Sequence, residues 1–431
     1  MKYQQFVFKN YNFDAKTKRL DLHYSLDDQL NFTETYTFEF EFADYDPQVL
    51  DCALQSLFIM AGVSYYKTFL PSSILLQRGN LTAKEAGFFA KTYQKGLGEL
   101  FYVNQLNPKP EIKFPGSNKT TELCESPNNQ GLLIGIGGGK DSLLSVELLR
   151  QQPDLRLATW SLGHRSQLEP LIQTIGLPHL WVDRQWDRQL LDLNQQDAYN
   201  GHVPLSAILA ATGVVVAALS GYRDVVVSNE SSASEPNLTY QGVAINHQYS
   251  KSLEFEHDFQ THLHDKFGDA LRYYSFLRPI TEVHIAELFA KYGFDKYHDV
   301  FSSCNRAFIH SSHQMSWCGV CPKCAFVFLA LTPFLPREKV ESLWGGKNLL
   351  LDPSLQPLYR NILGIEGNKP LECVGEVKES RAAMRLAQKQ YPEIANLYQF
   401  DLPTDYDYKA LSPHGMPPEA FAILHKALEQ A

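Results

Sequence analysis

Residues 134–142 read IGIGGGKDS, with four glycines in five residues followed by a base, an acid and a hydroxyl. This stretch constrains the fold more than any other. The apolar run 131–136 (GLLIGI) before it has the composition of a buried parallel strand, and DSLLSVELLR (141–150) after it repeats Leu144, Leu148 and Leu149 at helical spacing. A glycine corner between strand and helix gathers unpaired N–H groups and the positive end of the helix dipole at one point, which suits a phosphate. Glycine there permits positive φ and close backbone approach. The bland alternative is a turn that only closes the corner. Lys140, Asp141 and Ser142 following at once argue against it.

Spacing separates the kinds of phosphate loop. A Walker A loop needs glycine at Ile134 and Ser or Thr at Asp141, and fails. The dinucleotide fingerprint fits Gly135 and Gly137 but meets Lys140 at its third glycine. What remains resembles the pyrophosphate loop S-G-G-x-D-S of enzymes that cleave ATP between its α- and β-phosphates, with Gly137 in place of the first serine. Gly137, Gly138, Gly139 and Ser142 are then the expected phosphate contacts. Lys140 adds charge or points to solvent. Asp141 binds magnesium or caps the helix.

From residue 131 the chain alternates strand and helix. Strands are expected at 155–162, 179–184 and 224–230, and helices at 204–222 and 280–293. The expected fold class is α/β, a parallel sheet with helices on both faces and a ligand at the carboxyl ends of the strands. The glycine loop, SLGH (161–164) and SNESS (228–232) fall at those ends, so Ser161 and Leu162 join the ATP-binding candidates. The first hundred residues read differently, as an α+β unit. YTFEFEF (36–42) and RLDLHYSL (19–26) alternate as half-buried strands, and Val49, Leu50, Ala53, Leu54, Leu57 and Phe58 form a helical stripe. Thr82 and Glu85 make a capping-box pattern. Residues 107–130 have linker composition, and residues beyond 331 look mainly helical. The expected parts are 1–126 (α+β), 127–330 (ATP-binding) and 331–431 (a helical extension).

A chain of 431 residues with net charge −9 has room for two or three domains and is unsuited to nonspecific nucleic-acid binding. No apolar leader segment is evident, and the most apolar run, 213–219, is too short to span a bilayer. The expectation is a cytoplasmic protein. Seven cysteines, four of them clustered, suggest metal binding rather than a disulfide framework. In SCNRAFIHSSHQMSWCGVCPKC (303–324), two C-x-x-C steps share Cys321, and thirteen residues separate Cys304 from Cys318. Cys304, Cys318, Cys321 and Cys324 can close a tetrahedral site on structural zinc; an iron–sulfur cluster is the alternative. Cys52 and Cys124 read as ordinary small apolar residues.

The order of loop, RPITEVHIAELFAKYG and cysteine cluster resembles the enzymes that build the deazaguanine precursor of queuosine, which are much shorter. A broader resemblance spans the chain. AGVSYYKTFLP (61–71), YQKGLGEL (93–100), GIGGGKDSLLSVELL (135–149), NGHVPLSA (200–207), NHQYSKSLEFE (246–256), SFLRPITEVHIAELFA (275–290), WCGVCPKCAFVFLAL (317–331) and ECVGEV (372–377) resemble the MurL-type epimerases of peptidoglycan precursor synthesis. The resemblance implies an enzyme that uses ATP and magnesium to invert the terminal L-glutamate of UDP-N-acetylmuramoyl-L-alanyl-L-glutamate. With the loop, it implies activation of the α-carboxylate as an adenylate, releasing AMP and pyrophosphate. It marks Tyr65, Tyr66 and Lys67, and Asn246, as substrate contacts. Arg278 and Arg306 suit a carboxylate or diphosphate. His247 and Lys251 are the candidate proton carriers, with Cys373 in reserve as a reactive or merely buried thiol; His202 and His247 stand out among fourteen histidines for their polar, turn-forming neighbours. Two other classes remain open: an amide-forming or nucleobase-modifying ATP pyrophosphatase, and a zinc-stabilised binding module with a vestigial loop.

Overall fold

The computed structural model describes residues 2–118, 123–124, 129–308 and 315–430. The boundary expected at 126/127 and the interior of the cysteine segment, 309–314, lie outside them. The strands are β1 (Gln5–Asp14), β2 (Arg19–Leu26), β3 (Leu30–Phe38), β4 (Ser73–Leu76), β5 (Leu132–Gly135), β6 (Leu157–Leu162), β7 (His179–Gln185), β8 (Asp224–Val227), β9 (Leu238–Tyr240), β10 (Val243–Ile245) and β11 (Arg272–Ser275). Nine form one sheet in the order β11-β8-β5-β6-β7-β3-β2-β1-β4, and β9 and β10 make a separate hairpin.

From β11 to β7 neighbouring strands are parallel. The chain passes from β5 to β6 and β7 on one side, then returns to place β8 and β11 on the other. The strand order therefore reverses beside β5, and a crevice opens between the carboxyl ends of β5 and β8. Side-chain alternation explains why helices cover both faces. Leu133, Val225 and Tyr273 enter one core with the helices Pro47–Ala61, Leu205–Ser220 and Leu253–Phe267. Leu132, Ile134, Val226 and Tyr274 enter the other with Lys140–Leu149, Glu282–Tyr292 and Pro322–Leu331. Helices Gln356–Ile362, Val377–Ala387 and Pro418–Glu429 thicken this second core, as the helical reading of the C-terminal part expected.

The N-terminal strands do not form a sheet of their own. β3 pairs antiparallel with β7, from Thr35↔Gln185 to Phe38↔Val182, so the β1–β3 meander extends the parallel sheet. Arg184 of β7 donates to Glu34 of β3 (Nε to Oε1 2.8 Å), and both are buried. The strand expected at 36–42 ends at Phe38, beyond which one bond continues the ladder, Glu39 N to Trp181 O. Asp46 caps the first helix by accepting from Gln48 N at 2.7 Å, with Pro47 opening it, and the Thr82–Glu85 capping box forms. Pro47–Tyr66 is a longer apolar span than 213–219 and has the length to cross a membrane, yet 83% of its most apolar window is buried within the fold. Cys52 and Cys124 are not unrelated: their sulfurs meet at 2.6 Å, joining the first helix to the segment before β5.

Candidate functional site at the carboxyl ends of β5 and β8

The glycine loop leaves β5 and enters the helix Lys140–Leu149, with Gly139 at the N-cap. No side chain caps that helix, so Asp141 does not play the capping part open to it. Gly138 has φ +92°, and a Cβ there would stand 2.8 Å from Met315 Sδ and 3.1 Å from Ser302 O. Glycine is needed for backbone conformation and for close approach to the 302–303 segment, which donates Ser302 N to Gly138 O at 3.0 Å. A Cβ on Gly137 would meet only open space, which leaves that side of the loop accessible. Ser142 Oγ points back to Gly139 O at 3.2 Å. Ser161, at the end of β6, is tied to His179 Nε2 at 3.0 Å, and Leu162 closes the strand beside it.

Lys140 is buried and its ammonium bonds to Asp141 and Glu282. This corrects the expectation that it points to solvent or to a phosphate. Burial alone would lower its pKa, but the two carboxylates outweigh burial and raise it. Glu282 opens the next helix, and its second oxygen accepts from Lys323 Nζ at 3.3 Å. Asp141, Glu230 and Glu282 bring one carboxylate oxygen each to within 4.8 Å of one another. Burial and then neighbouring Glu282 push the Glu230 carboxyl up, against the pull of Lys251 and Lys323. The arrangement suits a hard cation with oxygen ligands. Glu379 braces it from behind, accepting Glu282 N and Glu376 N at 2.8 Å each.

Arg278, expected to pair with a carboxylate or diphosphate, is 1% exposed. It donates to Glu256 Oε2 at 2.9 Å, to Glu230 O and to Lys251 O. It therefore fastens the end of β8 to the segment carrying Lys251, and its donors are committed within the fold. Tyr65 and Tyr66 are core residues, and Tyr65 OH accepts from Asp187 N at 3.2 Å. Lys67 donates to Asn194 Oδ1, Tyr199 O and Asn200 Oδ1 at 3.1–3.4 Å, and burial lowers its pKa to about 8. These three bind segments of the fold together, where the sequence suggested substrate contacts. Arg306 is exposed beside the cysteine cluster.

The hairpin β9–β10, turning on Gln241 and Gly242 with positive φ at both, delivers Asn246 and His247. Asn246 donates to Ala233 O at 2.9 Å and accepts from Gln248 N at 2.7 Å, so it shapes the loop that holds His247. His247 N donates to Asn237 Oδ1 at 2.9 Å, and its Nδ1 bonds to Glu99, in the helix Gly98–Val103. His202 lies against the His247 ring, centroids 4.3 Å apart. Cys373 stands 3.2 Å from Lys251 Nζ and close enough to His247 for each to shift the other's titration. The segment carrying it is anchored by Asn237 Nδ2 to Pro370 O (2.7 Å) and Lys369 to Glu235 (2.8 Å). Burial would raise the Cys373 thiol, but the Lys251 ammonium and His247 bring it down to about 7. Burial would lower His247, but Cys373 and Glu99 carry it up to about 9. Burial and the charge of His247 hold His202 down to about 4. Sequence reasoning had named His247, Lys251 and Cys373 but missed Glu99, Glu230, Glu282 and Lys323. All four stand inside stretches already singled out, YQKGLGEL, SNESS, RPITEVH and WCGVCPKC, as charged residues with no local sign of a partner.

The four cysteines converge. Cys304 Sγ to Cys321 Sγ and Cys318 Sγ to Cys324 Sγ are both 3.8 Å, and all four sulfurs lie within 4.8 Å. A tetrahedron built on metal–sulfur bonds of about 2.3 Å has edges of about 3.8 Å. Thiolates on an iron–sulfur cube bind separate metal atoms and must stand farther apart. The cluster can hold a single metal ion, and it fixes Lys323, between two of its ligands, against Glu282.

The family model described as the MurL N-terminal domain matches residues 1–276, and that described as the MurL C-terminal domain matches residues 300–398. The first domain runs through β11 and so takes in both the meander and the parallel strands. A protein of Salinispora tropica named UDP-N-acetyl-alpha-D-muramoyl-L-alanyl-L-glutamate epimerase is 40% identical over 395 residues, covering 89% of this chain and 85% of its own. A protein of the same name from Xanthomonas oryzae pv. oryzae is 38% identical over 389 residues, covering 88% and 84%. With both domain models matched in order and relatives aligned over most of their length, the chain belongs to the MurL family.

Proposed function

We propose that this protein inverts the terminal glutamate of UDP-N-acetylmuramoyl-L-alanyl-L-glutamate in peptidoglycan precursor synthesis, using ATP to activate the α-carboxylate. The observation that carries the reading is one of position. The glycine loop, the three carboxylates and the Glu99–His247–Cys373–Lys251 group are joined through Arg278 and Lys323 at the crevice beside β5. Phosphate chemistry and proton chemistry thus have residues in one place.

Removing the proton on Cα next to a free carboxylate adds negative charge beside charge already present. Attack of that carboxylate on the α-phosphorus of ATP expels pyrophosphate, received by the N–H groups of Gly138, Gly139 and the helix start, with the Ser142 hydroxyl. The acyl group, now without its charge, accepts electrons as an enolate or closes on the alanyl carbonyl as an oxazolone. His247 and Lys251 are the groups to take and return the Cα proton; such acid–base groups typically supply about 10²–10⁴-fold. Asp141 and Glu230, with Glu282, would hold magnesium, which supplies charge neutralisation at the phosphates. Cys304, Cys318, Cys321 and Cys324 would hold a structural zinc.

The test uses the UDP-muramoyl dipeptide with ATP in deuterated water. AMP and pyrophosphate are expected, with deuterium at Cα and D-glutamate on hydrolysis. ADP as product, or inversion without nucleotide, refutes the activation scheme. Retained L-glutamate with AMP release points instead to a ligase.

A further inference from the structure

Cys373 lies beside both His247 and Lys251, with the Lys251 ammonium 3.2 Å from its sulfur, and that neighbourhood limits what these groups can do. Inverting a carbon requires a proton to leave one face and return on the other. Groups gathered on one sulfur lie on the same side of any substrate that leaves them gathered, so Cys373 and a neighbour of its sulfur cannot serve as opposed proton carriers. The arrangement matches a nucleophile with its base. A half-buried thiol stands beside an imidazole whose Nδ1 is held by a carboxylate, and an ammonium stands 3.2 Å from the sulfur. The Glu99 and His247 side chains each keep 16% exposure, so the group is not sealed from solvent. Lys323, bonded to Glu282, also experiences the charge of Cys373, which places the sulfur within electrostatic reach of the acids beside the glycine loop.

We propose that Cys373 is the nucleophile that takes the activated glutamyl group from AMP, forming a thioester on the enzyme. The inference rests on the adenylation reading above. The Cys373 thiolate adds to the acyl carbon of the adenylate; the C–S bond forms and the C–O bond to phosphate breaks. AMP leaves with the oxygen and its electron pair, and the proton on His247 passes to it. The imidazole is then neutral and oriented by Glu99. The glutamyl Cα proton lies next to a thioester, whose carbonyl stabilises an adjacent carbanion better than a carboxylate does. After inversion, water attacks the thioester carbonyl, giving the free carboxylate and restoring the thiol. Lys251 holds the thiolate before attack.

The test compares wild type with Cys373→Ala and Cys373→Ser in single turnovers with the UDP-muramoyl dipeptide and ATP, quenched in acid. Wild type is expected to carry a hydroxylamine-sensitive adduct with the mass of the acylated substrate, mapped to Cys373. Both variants are expected to form substrate-dependent pyrophosphate within about threefold of wild type in the first turnover, yet to lose at least about 100-fold in conversion to the D-epimer. Serine preserves shape, so a purely structural cysteine would be rescued by it. Conversion within threefold of wild type in either variant, or wild type turning over without an adduct on Cys373, overturns the thioester. Absence of pyrophosphate from wild type refutes the activation reading itself, so the two failures are distinct.

Discussion

The glycine loop and the thiol–imidazole group stand at the same crevice but are built in opposite ways. The loop is local: six consecutive residues, 137–142, placed by one strand and the helix after it. The thiol–imidazole group is dispersed. Glu99, His202, the 247–251 segment with His247 and Lys251, and Cys373 come from four separate stretches of the chain and meet because a helix, a hairpin and an irregular segment are tied together by Asn237, Lys369 and Arg278. Local sites carry their geometry in their spacing. Dispersed sites carry it in the tertiary contacts, so the residues that hold the parts together matter as much as the parts.

The cysteine cluster belongs with the local kind, and replacing one of its ligands should produce the largest effect. Cys321→Ser is expected to lose the bound metal and at least about 4 kcal/mol of stability, since metal binding contributes directly to folding free energy. Elemental analysis should give about one zinc and no iron per wild-type chain, and thermal unfolding reads the loss. Zinc lost with unchanged unfolding would show that the cluster does not hold the fold; iron with labile sulfide would replace the zinc assignment.

Next in size is damage to the loop that leaves the fold intact. Asp141→Ala or Ser142→Ala should cut pyrophosphate release at least about tenfold, equivalent to ~1.4 kcal/mol in the barrier. The thermal midpoint should hold. Asp141→Ala releases Lys140, but Glu282 keeps that ammonium paired. Normal pyrophosphate release by both variants would remove the phosphate role from the loop.

The same division explains what was legible in the sequence. The strand–loop–helix unit at 131–150, the second strand at 19–26 and the capping box at Thr82 and Glu85 follow from neighbours in the chain, and they form. The cysteine cluster was legible because its spacing alone suits a tetrahedral site. The pairing of β3 with β7 was not, because nothing local links Thr35 to Gln185. Lys140 misled for a related reason. Its partner Glu282 lies 142 residues away, so position in the motif spoke for phosphate or solvent while the fold supplied a carboxylate. Arg278 and Lys67 show the commonest confusion: a cation beside aromatics fits a ligand or a tertiary tie equally well until its acceptors are known.

The smallest effect is the one that tests the dispersed group most directly, because it needs no substitution. Thioester formation requires Cys373 without its proton and His247 with one. The thiol, brought down to about 7 by Lys251 and His247 against the pull of burial, loses its proton as pH rises through neutrality. The imidazole, held up at about 9 by Cys373 and Glu99 against burial, loses its proton as the pH rises through that value. The competent pair is therefore most populated between the two values. The two protons belong to one interacting pair, so the limbs of the profile report the pair rather than either residue alone. Moving from pH 8 to pH 6.5 should lower kcat/KM for epimerisation by about fourfold, and moving to pH 9.5 by a similar factor, the form expected when one group must be deprotonated and one protonated in the free enzyme. Glu99→Gln removes the charge that holds up the imidazolium, and should bring the alkaline limb to lower pH while leaving first-turnover pyrophosphate release near wild type. A flat profile from pH 6.5 to 9.5, or an alkaline limb unmoved in Glu99→Gln, would mean that the dispersed residues meet in space without acting as one group.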